Sequence, residues 1–536
     1  MIRLYNTLSR TKEPLDPVQP GKIGIYLCGP TVYKPSHIGH MVGPVIFDAI
    51  KRYLVYSGYE VTLVVNITDV DDKLIAESAA RGTTMAELAS EMTADYMRNI
   101  QALGVDTIDH FPRCTDNIGE IIEFIAALVE RGFAYRSDGD VYFDVSKDDD
   151  YGKLSGRQVE AMQGEGGTTA LRKHTAADFA LWKGAKPGEP SWKSPWGPGR
   201  PGWHIECSAM SRRLLGRTFD IHGGGLDLVF PHHENEIAQS ESAHGQPMAK
   251  YWMHNGLMQA SGEAGKVGGR STRPAATTTG TPAGSAGSMV GDLDAQQAGK
   301  ISKSKGSAPF RELLEQFAPE TIRFFLLATH YRRPIDYSLE RLHETEAALE
   351  NFYRFFKRYE RVTGDNFYAY EPHRRREQGD FDPRGNSLLA DVAQCRARFL
   401  EAMDDDFNTG GAIGDLFELL RRLNKFIDDE KLESAGAPSY EGCMTNAAVL
   451  LLGGGMVLRE LSAVLGLFRQ PPKPAGPAGD SGLTAGLMSL LIDLRAEARK
   501  KKDFATADRI RKGLAELGVT LEDRSGGTEW SVKSSQ

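Results

Sequence analysis

Short apolar segments flank an amphipathic one near the start of the chain. Residues 23–28 form an apolar run that ends in a Gly-Pro loop, as is typical of a buried strand. Residues 40–58 carry apolar side chains at helical spacing, and residues 61–66 are rich in β-branched ones. A strand, a helix and a strand in this order predict a βαβ unit, and therefore a parallel sheet. Ligands in such sheets bind at the carboxyl ends of the strands, where Cys28 and the residues after Asn66 lie.

The middle of the chain interrupts this sheet. Amphipathic helices are predicted for residues 83–104 and 117–132, and residues 139–144 indicate a hairpin. The sheet resumes near Gly202, and residues 218–222 have the composition of another buried strand. We therefore expect residues 116–200 to be an insertion into the sheet domain.

From Pro319 onward the pattern is mostly helical. Apolar spacing predicts helices over residues 321–327, 340–359, 387–403 and 411–429. A proline-rich segment at residues 471–477 predicts a stiff linker. A last helical pair and a hairpin around residues 525–527 close the chain. Residues 261–299 differ from all of this, because Gly, Ala, Thr, Ser and Pro dominate there and predict a disordered surface loop.

Composition is that of a soluble globular protein. Of 536 residues, 25% are charged and 40% hydrophobic. No apolar run approaches the roughly 20 residues of a membrane span, and the first residues lack an apolar signal core. We therefore expect a cytoplasmic protein without membrane contact. The net charge of −8 neither favours nor excludes nucleic acid, since local patches decide that. The 5 cysteines are scattered and odd in number, which favours metal ligation or burial over disulfides.

Four residues form a candidate metal site: Cys28, Cys207, His232 and Glu236. His232 and Glu236 are spaced to share one face of a helix, and sulfur, nitrogen and oxygen donors together suit zinc. Each residue also has an ordinary interpretation, because a lone cysteine is usually a buried hydrophobe and a His-Glu pair is usually a helix salt pair. Spacing alone does not choose between His232 and His233.

Two distant segments are candidates for an ATP site. Residues 35–40 read Pro-Ser-His-Ile-Gly-His at a predicted helix start, and residues 300–306 read Lys-Ile-Ser-Lys-Ser-Lys-Gly. The second segment alone is more typical of a solvated basic loop. Together and in this order, the two segments resemble the signature of class I aminoacyl-tRNA synthetases.

Three further segments narrow the resemblance to the cysteinyl-tRNA synthetase family. They are Cys-Gly-Pro-Thr-Val-Tyr at residues 28–33, Gly-Trp-His-Ile-Glu-Cys-Ser-Ala-Met at 202–210, and the run from His222 to Glu236. The resemblance implies that Cys28, Cys207, His232 and Glu236 bind one zinc ion, which binds the thiolate of the substrate cysteine. A thiophilic metal can reject serine, whereas a hydrophobic pocket discriminates weakly between such similar side chains.

The resemblance also assigns the remaining site residues. It implies a cysteine pocket lined by Thr68, Trp203 and His222. It further implies an ATP site with magnesium, built from His37, Gly39, His40, Gly224, Asp227, Lys300 and Lys303. The histidines at a helix start would donate to phosphate oxygens, and the lysines would neutralise the β- and γ-phosphates.

The implied acceptor of the activated cysteine is tRNA(Cys). The C-terminal segment is similar to the small module of bacterial-type enzymes, in which Arg499 and Lys501 would contact phosphates and Trp530 would stack on a base. A charged helix face and a packed hairpin aromatic are the alternatives. A second candidate function is a cysteine ligase with the same activation chemistry and a small-amine acceptor, although residues 340–536 argue against it. We expect a monomer.

The predicted fold class is α/β. A Rossmann-type parallel-sheet catalytic domain with an inserted connective domain is followed by an α-helical anticodon-binding bundle and a small α+β C-terminal module. The expected boundaries are 1–115 and 201–310 for the catalytic halves, 116–200 for the insertion, 311–345 for a stem-contact linker, 346–470 for the bundle, 471–483 for a Pro/Gly linker and 484–536 for the module.

Overall fold

The computed structural model describes residues 1–157, 172–260, 308–433, 445–472, 481–524 and 527–532. In chain order the strands are β1 (Arg3–Asn6), β2 (Thr11–Pro14), β3 (Lys22–Leu27), β4 (Glu60–Val65), β5 (Ala134–Ser137), β6 (Asp140–Phe143), β7 (Phe179–Gly184), β8 (Gly199–Pro201), β9 (Phe219–Gly225), β10 (Ala249–Asn255), β11 (Met258–Ala260), β12 (Ile335–Tyr337), β13 (Val519–Arg524) and β14 (Gly527–Val532). The α-helices are α1 (Val42–Tyr56), α2 (Asp72–Arg81), α3 (Met85–Ala102), α4 (Ile118–Glu130), α5 (Ile205–Leu215), α6 (Glu234–His244), α7 (Phe310–Gln316), α8 (Pro319–Leu327), α9 (Leu339–Thr363), α10 (Ser387–Asp404), α11 (Thr409–Asp429), α12 (Asn446–Val464), α13 (Ser481–Lys500) and α14 (Phe504–Glu516).

A parallel sheet of four strands lies at the centre, in the order β10, β9, β3, β4. Ile25 of β3 lies opposite Leu63 on one side and Ile221 on the other, and all three are fully buried. The parallel sheet and the strands predicted at 23–28, 61–66 and 218–222 are thus confirmed. Strand β10 was not predicted.

The segment between the two halves of this sheet forms an antiparallel sheet of its own, β5 to β8. Helix α4 packs on it, and their shared core includes Phe124, Val141, Phe143, Leu181 and Trp182. The hairpin predicted at 139–144 is present, with β5 paired to β6. The long loop predicted at 261–299 and the core of the proline-rich linker, residues 473–480, lie outside the described residues.

The C-terminal half is helical, and α9 to α12 pack around one apolar core. Helix α12 was not predicted, because its Gly453-Gly454-Gly455 run reads as a break in a helix. Packing explains these glycines: a β-carbon on Gly455 would lie 2.4 Å from the ring of Tyr359, and one on Gly454 would lie 2.3 Å from Leu423. Among the described residues, α12 is also the one helix long and apolar enough to cross a membrane, but 61% of its apolar window is buried inside the bundle.

Gly455→Ala is expected to destabilise the bundle by about 1–3 kcal/mol, because the added methyl group must displace the Tyr359 ring. Gly453→Ala is the matched control in the same helix. Its β-carbon would meet nothing closer than Leu389 at 3.6 Å, so we expect stabilisation of about 0.5–1 kcal/mol from helix propensity. Urea unfolding of both variants measures the difference, and equal effects would contradict the packing explanation.

Helix α1 is joined to the helical half by a buried ion pair. Arg323 of α8 is 2% exposed and pairs with Asp48 of α1. The guanidinium also donates to the carbonyls of Leu465 (2.9 Å) and Leu103 (3.1 Å). Burial raises the pKa of Asp48, but Arg323 and Arg52 outweigh it and lower the pKa below its usual value. Since α1 directly follows the segment at residues 35–40, this pair fixes a candidate site element to the rest of the fold.

The last described segment is a small module of α13, α14 and a β13–β14 hairpin. Arg495 of α13 holds the hairpin through two bonds to Asp523, at 2.6 and 2.7 Å. An ion pair of Arg361 with Glu529, at 3.3 Å, links the module to the bundle. The predicted last helical pair and hairpin are both confirmed.

Candidate functional site

The structure brings the four candidate metal ligands together at the carboxyl edge of the central sheet. Cys28 directly follows β3, Cys207 lies in the first turn of α5, and Glu236 lies in the first turn of α6, just after His232. One ligand atom from each of the four residues lies within 4.8 Å of the others. Three are buried and Cys28 is partly exposed, so the cluster has one side open to a substrate.

Two distances within this cluster fit a tetrahedral zinc site. Zinc–sulfur bonds of about 2.3 Å and zinc–nitrogen bonds of about 2.0–2.1 Å place two sulfurs about 3.8 Å apart, and a sulfur and a nitrogen about 3.6 Å apart. The Sγ atoms of Cys28 and Cys207 are 3.8 Å apart, and Cys207 Sγ lies 3.6 Å from His232 Nε2. The fourth side chain is closer, with Glu236 Oε1 at hydrogen-bonding distance, 2.8 Å, from His232 Nε2.

Two acidic side chains of this cluster, Glu236 and Cys207, have lowered pKa values although both are buried. Burial raises the pKa of Glu236, but His222 and His232 outweigh it and lower that pKa to about 2. Burial likewise raises the pKa of Cys207, whereas hydrogen bonds with Cys28 and His232 lower it to about 6. Burial and the bond to Cys207 both raise the pKa of Cys28. A preformed carboxylate and thiolate therefore make the donor set chemically suited to a divalent cation.

A second set of donors shares two members with the first. Cys28 and Glu236 also lie beside His222 and His233. Cys28 Sγ is 3.6 Å from His222 Nε2 and 3.3 Å from His233 Nε2. Distances alone therefore leave the choice between His232 and His233 open. The first set contains two thiols where the second has one, and thiolates are the ligands that zinc prefers in closed protein sites.

The three residues assigned to the cysteine pocket border the cluster. The ring of Trp203, which is 40% exposed, stacks on His232 with centroids 4.5 Å apart. His222 Nε2 lies 3.2 Å from Glu236 Oε2. The Thr68 hydroxyl is buried and donates to Glu206 Oε2 at 3.0 Å.

Several buried polar residues of this region were not predicted. His204 contacts His232 through the two Nδ1 atoms, 2.9 Å apart, and His254 contacts His233 Nδ1 at 2.7 Å. Glu206 is 1% exposed, and burial and the nearby Cys207 raise its pKa well above the usual value. Glu206 was detectable in principle, because it stands directly before a candidate ligand.

The His37-to-His40 segment forms a tight turn at the start of α1. His37 Nδ1 accepts the N–H of Gly39 at 3.1 Å, and His40 Nδ1 accepts the N–H of His37 at 3.2 Å. Since both Nδ1 atoms accept, both rings carry their proton on Nε2, a donor suited to phosphate oxygens. A β-carbon on Gly39 would lie 2.8 Å from the His37 ring, so a larger residue here would displace that ring.

The glycine run at the end of β9 packs against α1, the helix that follows this turn, and against His233. A β-carbon on Gly223 would lie 2.2 Å from Phe47 of α1, and one on Gly224 would lie 2.8 Å from His233. Asp227 follows in a short 3₁₀ turn. The structure therefore places His37, Gly39, His40, Gly224 and Asp227 along one edge of the sheet. Lys300 and Lys303 lie outside the described residues.

The proposed tRNA-contacting residues have partners within their own module. Arg499 donates to Asp523 at 2.7 Å, and Lys501 to Glu497 at 3.4 Å. Trp530 packs against the small core of Leu514 and Leu521. A contact of these residues with tRNA stays a prediction.

Comparison with known proteins first defines the class. Residues 14–266 match the model of the tRNA synthetases class I (C) catalytic domain, residues 398–469 that of the DALR domain, and residues 480–530 that of the cysteinyl-tRNA ligase anticodon binding domain. The fold is similar to that of Mycobacterium tuberculosis methionyl-tRNA synthetase bound by methionyl-adenylate, with a TM-score of 0.57, 16% identity, and coverage of 83% of this chain and 91% of that one. The class is that of the ATP-dependent class I aminoacyl-tRNA synthetases.

Relatives along the whole chain identify the family. The chain is 42% identical to the cysteine–tRNA ligase of Syntrophobacter fumaroxidans and 43% identical to that of Geobacter metallireducens. Each alignment covers 99% of this chain and 100% of the relative. The chain therefore belongs to the cysteinyl-tRNA synthetase family.

Proposed function

We propose that this chain activates L-cysteine with ATP and transfers it to the terminal ribose of tRNA(Cys). The observation that carries the proposal is the cluster of two cysteines, a histidine and a glutamate at the carboxyl edge of the sheet. The His37-to-His40 turn lies between β3, which ends at this edge, and α1. Membership of the cysteinyl-tRNA synthetase family supports it along the full length.

Cys28, Cys207, His232 and Glu236 would hold one zinc ion. When bound, zinc supplies a thiophilic centre that distinguishes a substrate thiolate from the neutral hydroxyl of serine. His204 would orient His232 through its Nδ1 atom. Trp203 would cover the open side of the pocket, and Thr68 and His222 would line it.

Adenylate formation requires positioning and charge stabilisation rather than a covalent nucleophile. His37 and His40 would donate through Nε2 to phosphate oxygens at the start of α1. Because Gly39 and Gly224 have no side chains, the adenosine could approach the backbone closely at these positions. Asp227 would help to hold the adenosine. Lys300 and Lys303 would neutralise the departing pyrophosphate, together with magnesium.

The C-terminal half supports tRNA as the acceptor. The α9–α12 bundle and the α13–β14 module would contact the tRNA at a distance from the cluster, with Arg499, Lys501 and Trp530 as candidate contacts. We further propose a monomeric, cytoplasmic enzyme. The alternative of a small-amine acceptor is not supported, because residues 398–530 match the DALR and anticodon-binding models.

Two assays on the purified protein test this function. We expect cysteine-dependent exchange of pyrophosphate into ATP, and charging of tRNA(Cys) with cysteine but not with serine, because a neutral hydroxyl is a poor zinc ligand. Exchange without tRNA charging would contradict the acceptor, and equal rates with serine would contradict the zinc-based selection.

A further inference from the structure

A buried chain of hydrogen bonds connects the residue after Cys28 with the residue before Cys207. The N–H of Gly29 donates to Asn66 Oδ1 at 2.8 Å. Asn66 Nδ2 in turn donates to Thr68 Oγ1 at 3.3 Å. Thr68 Oγ1 donates to Glu206 Oε2 at 3.0 Å. We call Asn66, Thr68 and Glu206 the carboxamide–hydroxyl–carboxyl bridge.

The bridge joins the ends of two paired strands to the start of a helix. Gly29 and Asn66 follow the adjacent parallel strands β3 and β4. Their backbones touch, since a β-carbon on Gly29 would lie 1.8 Å from the Asn66 carbonyl oxygen. Glu206 lies in the first turn of α5, next to Cys207. The bridge therefore spans the gap across which the two cysteines face each other.

The hydroxyl of Thr68 has a hydrogen-bond partner on each side in this bridge. It accepts from Asn66 and donates to Glu206, so both neighbours are needed to fix it. All three side chains are at most 2% exposed, and water cannot easily replace a lost partner. In the described part of the chain, no lysine, arginine or histidine forms an ion pair with Glu206. Its role is therefore that of a hydrogen-bond acceptor rather than a counter-charge.

We propose that Asn66 and Glu206 are positioning residues for cysteine selection, which fix the Thr68 hydroxyl at the amino-acid pocket and hold Cys28 and Cys207 at their spacing. The role of Thr68 in the pocket rests on the proposed function. The part that concerns the cysteines rests on the proposed zinc site, but it can be measured as metal affinity without any enzymatic activity.

Four variants test the bridge. Glu206→Ala removes the acceptor, and Glu206→Gln keeps an oxygen in the same place. Asn66→Asp keeps the acceptor for Gly29 but loses the amide donor to Thr68. Thr93→Val is the matched control, because its buried hydroxyl has no hydrogen-bond partner in the described part of the chain.

Two readouts separate positioning from a general loss of structure. The first readout is pyrophosphate exchange, in which the change in KM for cysteine is compared with the changes in KM for ATP and in kcat. The second is zinc affinity, measured by competition with a chromophoric chelator. We expect Glu206→Ala and Asn66→Asp to raise KM for cysteine about tenfold and to weaken zinc binding about tenfold, with KM for ATP within about twofold. Glu206→Gln and Thr93→Val should stay close to the parent protein in both readouts.

Several results would overturn the proposal. One is a parent-like KM for cysteine and zinc affinity in either Glu206→Ala or Asn66→Asp. Another is a loss in Glu206→Gln as large as in Glu206→Ala. If the Glu206→Ala protein does not fold, the KM for cysteine and the zinc affinity of Asn66→Asp decide whether the proposal holds. A parent protein that lacks cysteine-dependent exchange would disprove the proposed function, while the chelator competition would still test the bridge.

Discussion

Replacement of Cys207 by serine is expected to abolish zinc binding and to lower kcat/KM for cysteine by more than about 100-fold. Loss of a residue that merely orients a ligand costs about 10–100-fold in metal affinity or activity, and Cys207 would be a ligand itself. The serine hydroxyl stays protonated at neutral pH, whereas the environment of Cys207 lowers the thiol pKa to about 6. Metal analysis and pyrophosphate exchange measure the two effects.

The matched control is Cys395→Ser. Cys395 is also buried, at 2% exposure, but lies in α10 of the bundle. We expect a modest loss of stability, full zinc content and unchanged KM for ATP and cysteine. ATP affinity should also stay unchanged in Cys207→Ser, because the His37-to-His40 turn is built without Cys207. A zinc-free Cys207→Ser protein with parent activity would exclude metal-based selection.

Replacement of His40 by alanine is expected to lower the rate of adenylate formation by about 10²–10³-fold, the usual cost of removing one donor from a developing charge. The same change removes one bond of the turn, since His40 Nδ1 accepts the N–H of His37. That loss should cost only about 1 kcal/mol of stability. Pyrophosphate exchange and thermal unfolding measure the two effects separately.

Thr84→Ala controls for the loss of a helix cap. Thr84 caps α3 and accepts the N–H of Glu87 at 3.2 Å. We expect a similar loss of stability of about 1 kcal/mol with a parent-like exchange rate. A His40→Ala protein that keeps its exchange rate would show that the turn is only structural.

Apolar periodicity predicted much of the fold because burial in a parallel sheet leaves a strong local signal. Strands β3 and β4 are mainly apolar and buried after an exposed first residue, and α1 has a regular buried face. Helix α12 was not predicted, because propensity disfavours its glycines and only contact with Tyr359 and Leu423 explains them. Contacts between residues that are far apart in the chain cannot be recognised from the local sequence.

The candidate site, like the fold, could be predicted from the sequence only in part. Cys28, Cys207, His232 and Glu236 were selected by residue type and by resemblance, and the structure brings them together. Asn66 was seen only as the end of a strand, and Glu206 only as part of a motif. Their significance lies in hydrogen bonds across 138 positions, such as that from Thr68 to Glu206, which spacing along the chain cannot indicate.

The strand order has a consequence for synthesis on the ribosome. Strand β9 lies between β3 and β10, so the sheet stays incomplete until residues 219–255 have emerged. At about 5–20 residues per second, Cys28 waits roughly ten seconds or more for Glu236 to be made. During that interval β3 exposes an unpaired edge and a thiol without its neighbours. Even when β3 has paired with β4, its other edge therefore stays open until β9 has been made.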